Sequence, residues 1–157
     1  MLCILSSVTE FAMSRLVPAA MLAILCAGAL PAFASESLKS PAEVTAALEA
    51  GDHVSVSADL ARCTPNAGTP ASKTRGGAHI QAYRIIADGT VSFADSHFTV
   101  ANDGKPIQQF MRYQLHQDGT VSFTTYMYDL PGLQPRGPVL AYQCKINEGI
   151  GDRKSVV

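Results

Sequence analysis

The sequence predicts a mainly β protein of the α+β class: an N-terminal helix, then a roughly six-stranded antiparallel meander or small barrel closed by one disulfide. Three observations predict it. Asp-Gly pairs recur at Asp88-Gly89, Asp103-Gly104 and Asp118-Gly119 between alternating apolar stretches. Such pairs mark hairpins because glycine accepts the positive φ these turns require. One capping box, Ser40-Pro41-Ala42-Glu43, opens the only short amphipathic helical pattern. Two cysteines, Cys63 and Cys144, flank the strand-rich centre.

Ahead of these elements, Ser14–Ala34 reads SRLVPAAMLAILCAGALPAFA. Arg15 gives a short positive region, Leu16–Leu30 an apolar one interrupted by Pro18, and Ala32-Phe33-Ala34 a small-residue cleavage site. This is the pattern of a secretory signal peptide over 1–34, cut after Ala34, with no charged stop-transfer flank. Met13 directly precedes it, so translation could begin there rather than at Met1. Cys26 follows Leu25, not the small residue a lipid-anchoring site wants. Residues 35–157 are then expected to form a single domain in the periplasm or outside the cell. At that size one core buries roughly two-thirds of the unfolded surface. Losing Glu10 and Arg15 leaves the formal net charge at −1. That balance argues against nucleic acid or an anionic membrane surface as a partner.

Of the four cysteines, Cys3 and Cys26 leave with the leader. In an exported chain the remaining pair, Cys63 and Cys144, most simply form a disulfide, and closing so long a loop contributes roughly 4–5 kcal/mol. Buried free thiols are the rival reading. Neither cysteine sits in a C-x-x-C pattern or at an electropositive helix start, as a catalytic thiol would.

In the helix, Ser40 caps, Pro41 suits the first position, and Glu43 completes the box; Val44, Ala47 and Leu48 make one stripe, and Gly51 ends it. His53 onward alternates as a strand toward Cys63, and the Pro/Gly/Ser/Thr-rich Thr64–Gly77 reads as a long exposed loop. Four strands follow, about His79–Ala87, Thr90–Ala101, Pro106–Gln117 and Thr120–Leu130. Prolines then break the chain before a last strand, Val139–Ile146, which carries Cys144.

The hexapeptide DGTVSF occurs twice, at Asp88–Phe93 and Asp118–Phe123, and Tyr83 maps onto Tyr113 at the same offset. Asp-Gly makes a turn and Thr-Val-Ser-Phe starts the outgoing strand, so the repeat is structural rather than a functional motif used twice.

With two-residue turns, one sheet face collects Tyr83, Ile85, Phe98, Val100, Ile107, Met111, Tyr113 and Leu115 over Ser92, Ala94 and Ser96, a core-like pairing of large over small. The other carries Ile80, Arg84, Phe93, Asp95, His97, Phe110 and Arg112. Asp95 then lies opposite Arg112 and diagonal to Arg84, with His97 opposite Phe110. Cross-strand charge pairs of this kind contribute about 0.2–1 kcal/mol each. A three-residue loop with a glycine bulge would instead shift every pairing by one residue. The mixed face makes Arg84, Asp95, His97 and Arg112 the candidate ligand-binding residues, a few oriented polar groups among apolar lining. A half-exposed face stitched by salt bridges is the plainer reading.

No nucleophile elbow, phosphate loop or dinucleotide fingerprint is present. His53, His79, His97 and His116 lack the spacing of a helical metal site. Asp95 and His97 share a face at strand spacing, which could support acid–base or metal chemistry, but two residues are too few for either. No cofactor and no metal are implied.

AYRIIADGTVSFADSHFTV at Ala82–Val100 and GKPIQQFMRYQLHQDGTV at Gly104–Val121 resemble the VirK family of exported bacterial proteins. The resemblance spans Leu38–Ile146, and its most specific parts are Ser96-His97-Phe98-Thr99-Val100 and Arg112-Tyr113. The leading signal peptide and the cysteines flanking the centre fit it too. The tail NEGIGDRKSVV departs from the family's short aromatic ending, which predicts a shortened or altered terminal strand. The resemblance implies a periplasmic or secreted protein linked to host-associated bacteria, and it carries over no catalytic residue.

The expected function is therefore an exported, non-enzymatic accessory or binding protein, associated with host interaction or virulence, that meets a protein or small ligand through Arg84, Asp95, His97 and Arg112. The alternatives are a periplasmic hydrolase or metal-dependent enzyme using Asp95 and His97, and an envelope structural protein with both faces packed.

Overall fold

Each Asp-Gly turn closes three residues, not two. In the computed structural model of the protein, which describes residues 35–155, Gly89, Gly104 and Gly119 have φ of 80°, 81° and 80°. Their N–H groups donate to the carbonyls of Ile86, Ala101 and His116, whose own N–H groups donate to Thr90, Lys105 and Thr120. This is the glycine-bulge loop, and it shifts the pairing by one residue from the two-residue reading. Each aspartate fastens its turn by accepting an N–H two residues on, at 2.9 Å from Thr90, 3.3 Å from Lys105 and 2.9 Å from Thr120. The expected signal peptide, both possible start sites, Cys3 and Cys26 lie outside the described residues.

The elements are β1 (Ser35–Leu38), α1 (Pro41–Glu49), β2 (His53–Asp59), a 3-10 turn (Leu60–Arg62), β3 (Thr64–Pro65), β4 (Arg75–His79), β5 (Tyr83–Ile85), β6 (Val91–Val100), β7 (Pro106–Leu115), β8 (Thr120–Asp129), β9 (Gln134–Pro135), β10 (Leu140–Ile146) and β11 (Gly149–Ser155). They form one 11-stranded sheet in the order β4-β2-β11-β10-β8-β7-β6-β5, with β1 added to β11, β3 to β10 and β9 to β8. All pairs are antiparallel except the short β10–β11 contact.

The mainly β class is correct, but among the described residues the strands number eleven rather than six, and the one helix there is not N-terminal because β1 precedes it. The extra strands lack apolar alternation and form through distant partners: Ser35 pairs with Ser155, and Gly77 with Ser57. The expected loop Thr64–Gly77 contains β3 and the start of β4. There Gly77 allows close backbone approach, since a Cβ would lie 2.6 Å from the Val56 carbonyl oxygen. The expected strand His79–Ala87 is instead divided between β4 and β5, which sit at opposite ends of the strand order. Only Ile80, Gln81 and Ala82 join them, a link that reaches at most about 14 Å. The sheet must curl to permit it, and it forms a half-barrel. The tail is not shortened: β11 pairs along β2 from Ile150–Ala58 to Ser155–His53.

The core lies inside the curl. The register sets Phe93, Tyr113, Phe123 and Tyr142 in one row across four strands, and Val91, Leu115, Val121 and Cys144 in the next. Phe93 stacks on Tyr113 with ring centroids 4.9 Å apart, and Phe123 meets Tyr113 from the other side at 5.0 Å. The repeated hexapeptide thus supplies both flanks of Tyr113, and such aromatic pairs add about 0.5–1.5 kcal/mol beyond burial. The helix forms as its capping box dictates. Ser40 Oγ accepts the Glu43 N–H at 3.2 Å, Glu43 accepts the Lys39 N–H at 2.6 Å, and Val44, Ala47 and Leu48 are buried against the sheet.

Cys63 and Cys144 are disulfide-bonded across a sequence separation of 81. The bridge ties the 3-10 turn to β10.

Candidate functional site

The four residues singled out by sequence do not form one cluster. Ala94, not Asp95, lies opposite Arg112, while Asp95 faces Met111 and His97 faces Gln109. Arg84 pairs with Ser92. Arg84 and Arg112 therefore share the outer face, and Asp95 and His97 project on the inner side with Phe93. The one-residue difference comes from the glycine-bulge turns. It also turns Phe98 and Val100, expected in the core, outward to 70% and 63% exposure. Neither Arg84, Arg112 nor Asp95 joins an ion pair among the described residues.

On the outer face, Arg84, Arg112, Phe110, Tyr126 and Ala94 line an open hollow of about 410 Å³. Its lining combines apolar side chains with two arginines, so it suits an apolar side chain flanked by negative charge. Beside it runs an open strand edge. β5 pairs with only the first three residues of β6, Val91–Phe93. From Ala94 to Val100, β6 has β7 on one side and no strand on the other among the described residues. Every second residue there directs its N–H and C=O away from the sheet.

Inside the curl, a smaller cavity of about 160 Å³ is lined by Tyr113, Phe123, Tyr142, Met111, Met127 and Thr125. Gln109 donates to Thr125 Oγ1 at 3.0 Å, and Tyr142 donates its hydroxyl to the Pro70 carbonyl at 3.0 Å. Burial, followed by the negative charges of Asp95 and Asp152, pushes the Tyr113 phenol up to about 12. Asp152 is itself 1% exposed, with Oδ1 buried and lacking a hydrogen-bond partner among the described residues. Desolvation raises its carboxyl to about 7. Sequence reading missed Asp152 because Gly149–Ser155 shows no apolar alternation to mark which residues turn inward. Asp95 and His97 acquire no third His, Cys, Asp or Glu suited to hold a metal ion among the described residues. No helix among those residues is long and apolar enough to cross a membrane.

Over the described residues these features define a class: a disulfide-closed β half-barrel with one helix, a buried aromatic row and an open strand edge. The family model described as VirK protein matches residues 37–133, and the chain belongs to the VirK family. It is 47% identical over 129 residues to an uncharacterized protein in the pinF2 3′ region of Rhizobium radiobacter, covering 80% of this chain and 89% of that one. It is 44% identical over 117 residues to the uncharacterized protein y4wH of Sinorhizobium fredii, covering 74% and 81%. Among solved structures, it resembles the crystal structure of lpg1832, a VirK family protein from Legionella pneumophila, with a TM-score of 0.67 and 21% identity over 74% of this chain and 97% of that one. That likeness carries the fold.

Proposed function

We propose that the protein is an exported, non-enzymatic binding protein that captures an extended segment of a partner protein along the open edge of β6. The observation that carries this reading is the unpaired run Ala94–Val100, with Phe98 and Val100 exposed along it. A bare strand edge recruits an extended peptide through main-chain hydrogen bonds, with neighbouring hollows supplying side-chain specificity. Arg84 and Arg112 at the adjoining hollow favour a segment bearing an acidic residue. The disulfide supports export, since such bonds persist in oxidising compartments.

The test places a photo-crosslinking phenylalanine analogue at Phe98 and, in a second protein, at Glu49 on the helix, each in the full chain produced in a bacterium. A discrete protein adduct is expected from Phe98 alone, lost on Ser96→Pro or Arg84→Ala/Arg112→Ala. Equal adducts from both positions, or none, would sink the reading, and adducts between two copies of the chain would replace it with self-association. Export is checked by intact mass. The expected chain begins at Ser35 and is lighter than its reduced form by about two daltons, the two hydrogens lost to one S–S bond.

A further inference from the structure

The outer face of β2 and β11, far along the strand order from β6, holds a second recess that neither the sequence reading nor the edge proposal uses. It is an open groove of about 420 Å³ lined by three arginines, Arg62, Arg75 and Arg153, against a single acidic residue, Asp59. Arg75 is already paired with Asp59 at 2.9 Å. Arg62 and Arg153 are exposed and join no ion pair among the described residues. The chain as a whole is slightly acidic, at −1, so this positive surplus is local rather than compositional.

The floor is built to stay open. Gly151 lies opposite Ser57, whose Oγ donates to the Gly151 carbonyl at 3.2 Å. A Cβ at Gly151 would come within 3.0 Å of that Oγ. Gly149 has φ +98°, and a Cβ there would lie 2.7 Å from Cys63 Sγ. This glycine therefore lets the Arg62–Cys63 backbone pack directly against the start of β11, where the same Cβ would lie 3.2 Å from the Arg62 carbonyl oxygen. Asn147, at φ 60°, is fixed by donating from Nδ2 to the Leu38 carbonyl at 3.4 Å.

We propose that this groove binds a small polyanion, a compound with two or more carboxylate or phosphate groups, through the guanidinium groups of Arg62 and Arg153. Guanidinium is the planar, permanently charged fork that matches both anions in bidentate fashion. Two unpaired forks call for two anionic groups, and the volume is that of a small-molecule site. The lining includes no aromatic side chain on which a nucleic-acid base could stack. The site lies outside the proposed edge and does not depend on it.

The test titrates the full, oxidised protein with citrate and separately with pyrophosphate at low ionic strength, read by calorimetry and by amide resonance shifts. Saturable binding of at least one anion is expected, with shifts centred on Gly149–Gly151; whichever binds tighter identifies carboxylate or phosphate as the preferred group. Arg62→Ala/Arg153→Ala should weaken it about tenfold or more, the effect of losing charge-assisted hydrogen bonds. Arg84→Ala/Arg112→Ala should leave it unchanged. Both arginines of the groove are exposed, so the variant should keep the wild-type urea midpoint. Failure of both anions to saturate, or equal weakening by the two double variants, would overturn the proposal.

Discussion

β6 runs without a break from Val91 to Val100, and its ladder with β7 is continuous over the whole length. Yet its first three residues are buried, while Phe98 and Val100 stand in solvent. The difference lies in the neighbours. Val91–Phe93 have β5 alongside, and the same aromatic row extends across β7 and β8 to β10, which the disulfide holds. Beyond the last β8–β10 pair, Thr125 with Leu140, the β6–β7–β8 ribbon continues alone apart from the two-residue β9. Strand pairing by itself therefore buries little here. Burial follows the curl and its covalent tie, and the part of the ribbon that outruns them is the part left exposed.

If that division is right, damage to the closed half should cost stability and damage to the ribbon should not. The largest effect is expected from Cys63→Ala/Cys144→Ala, which removes the tie around 81 residues of separation and should lower unfolding free energy by about 4.5 kcal/mol in urea melts. A loss shared equally by exchange protection in distal β6 and in the aromatic row would break the comparison.

Asp152 comes next, with the opposite sign. Its folded-state value of about 7 against an ordinary 3.8 means that the folded protein binds this proton more tightly than the unfolded chain. The favourable contribution is complete below pH 4 and disappears as pH rises to 7. Asp152→Asn should therefore be more stable than wild type at pH 8, by up to about 4 kcal/mol, and nearly equal to it at pH 4. Parallel stability–pH curves for the two proteins would show that the carboxyl is not desolvated.

Within one strand the contrast can be sharpened directly. Phe93→Ala should cost about 3–4 kcal/mol by opening a cavity beside Tyr113, whereas Phe98→Ala should change stability by less than about 0.5 kcal/mol. Thermal melts of the pair, side by side, decide it. The smallest effect is expected at the ribbon tip. There Arg136 donates to Asp129 at 2.6 Å and to Asp103 at 2.8 Å, all three side chains partly exposed. Arg136→Ala should shift the urea midpoint only slightly, and less again in high salt.

Local chemistry was readable in the sequence wherever it acts over a few residues. Ser40 and Glu43 gave the helix start, the Asp-Gly pairs gave every turn of the β5–β8 meander, and Cys63 and Cys144 gave the bridge. The register was not readable, because Asp-Gly serves both two-residue and three-residue loops and only the tertiary fold chooses between them. The same ambiguity separated Asp95 and His97 from Arg84 and Arg112. β1, β4 and β11 stayed hidden because their polar and glycine-rich residues become strands only through distant partners. The groove arginines were equally invisible: Arg62, Arg75 and Arg153 share no local pattern and meet only through the sheet.

The bulged turns also set how this gene can change. A pleated strand has two phases, and each glycine turn passes its phase to the next strand. Adding or removing one residue at Asp103-Gly104 would leave β6 and β7 individually sound but exchange the inner and outer faces of one relative to the other. Phe93 and Tyr113 would part, and Phe98 would turn inward. Single-residue insertions and deletions at these loops should thus be far more damaging than substitutions beside them, while paired changes at successive turns could restore the phase.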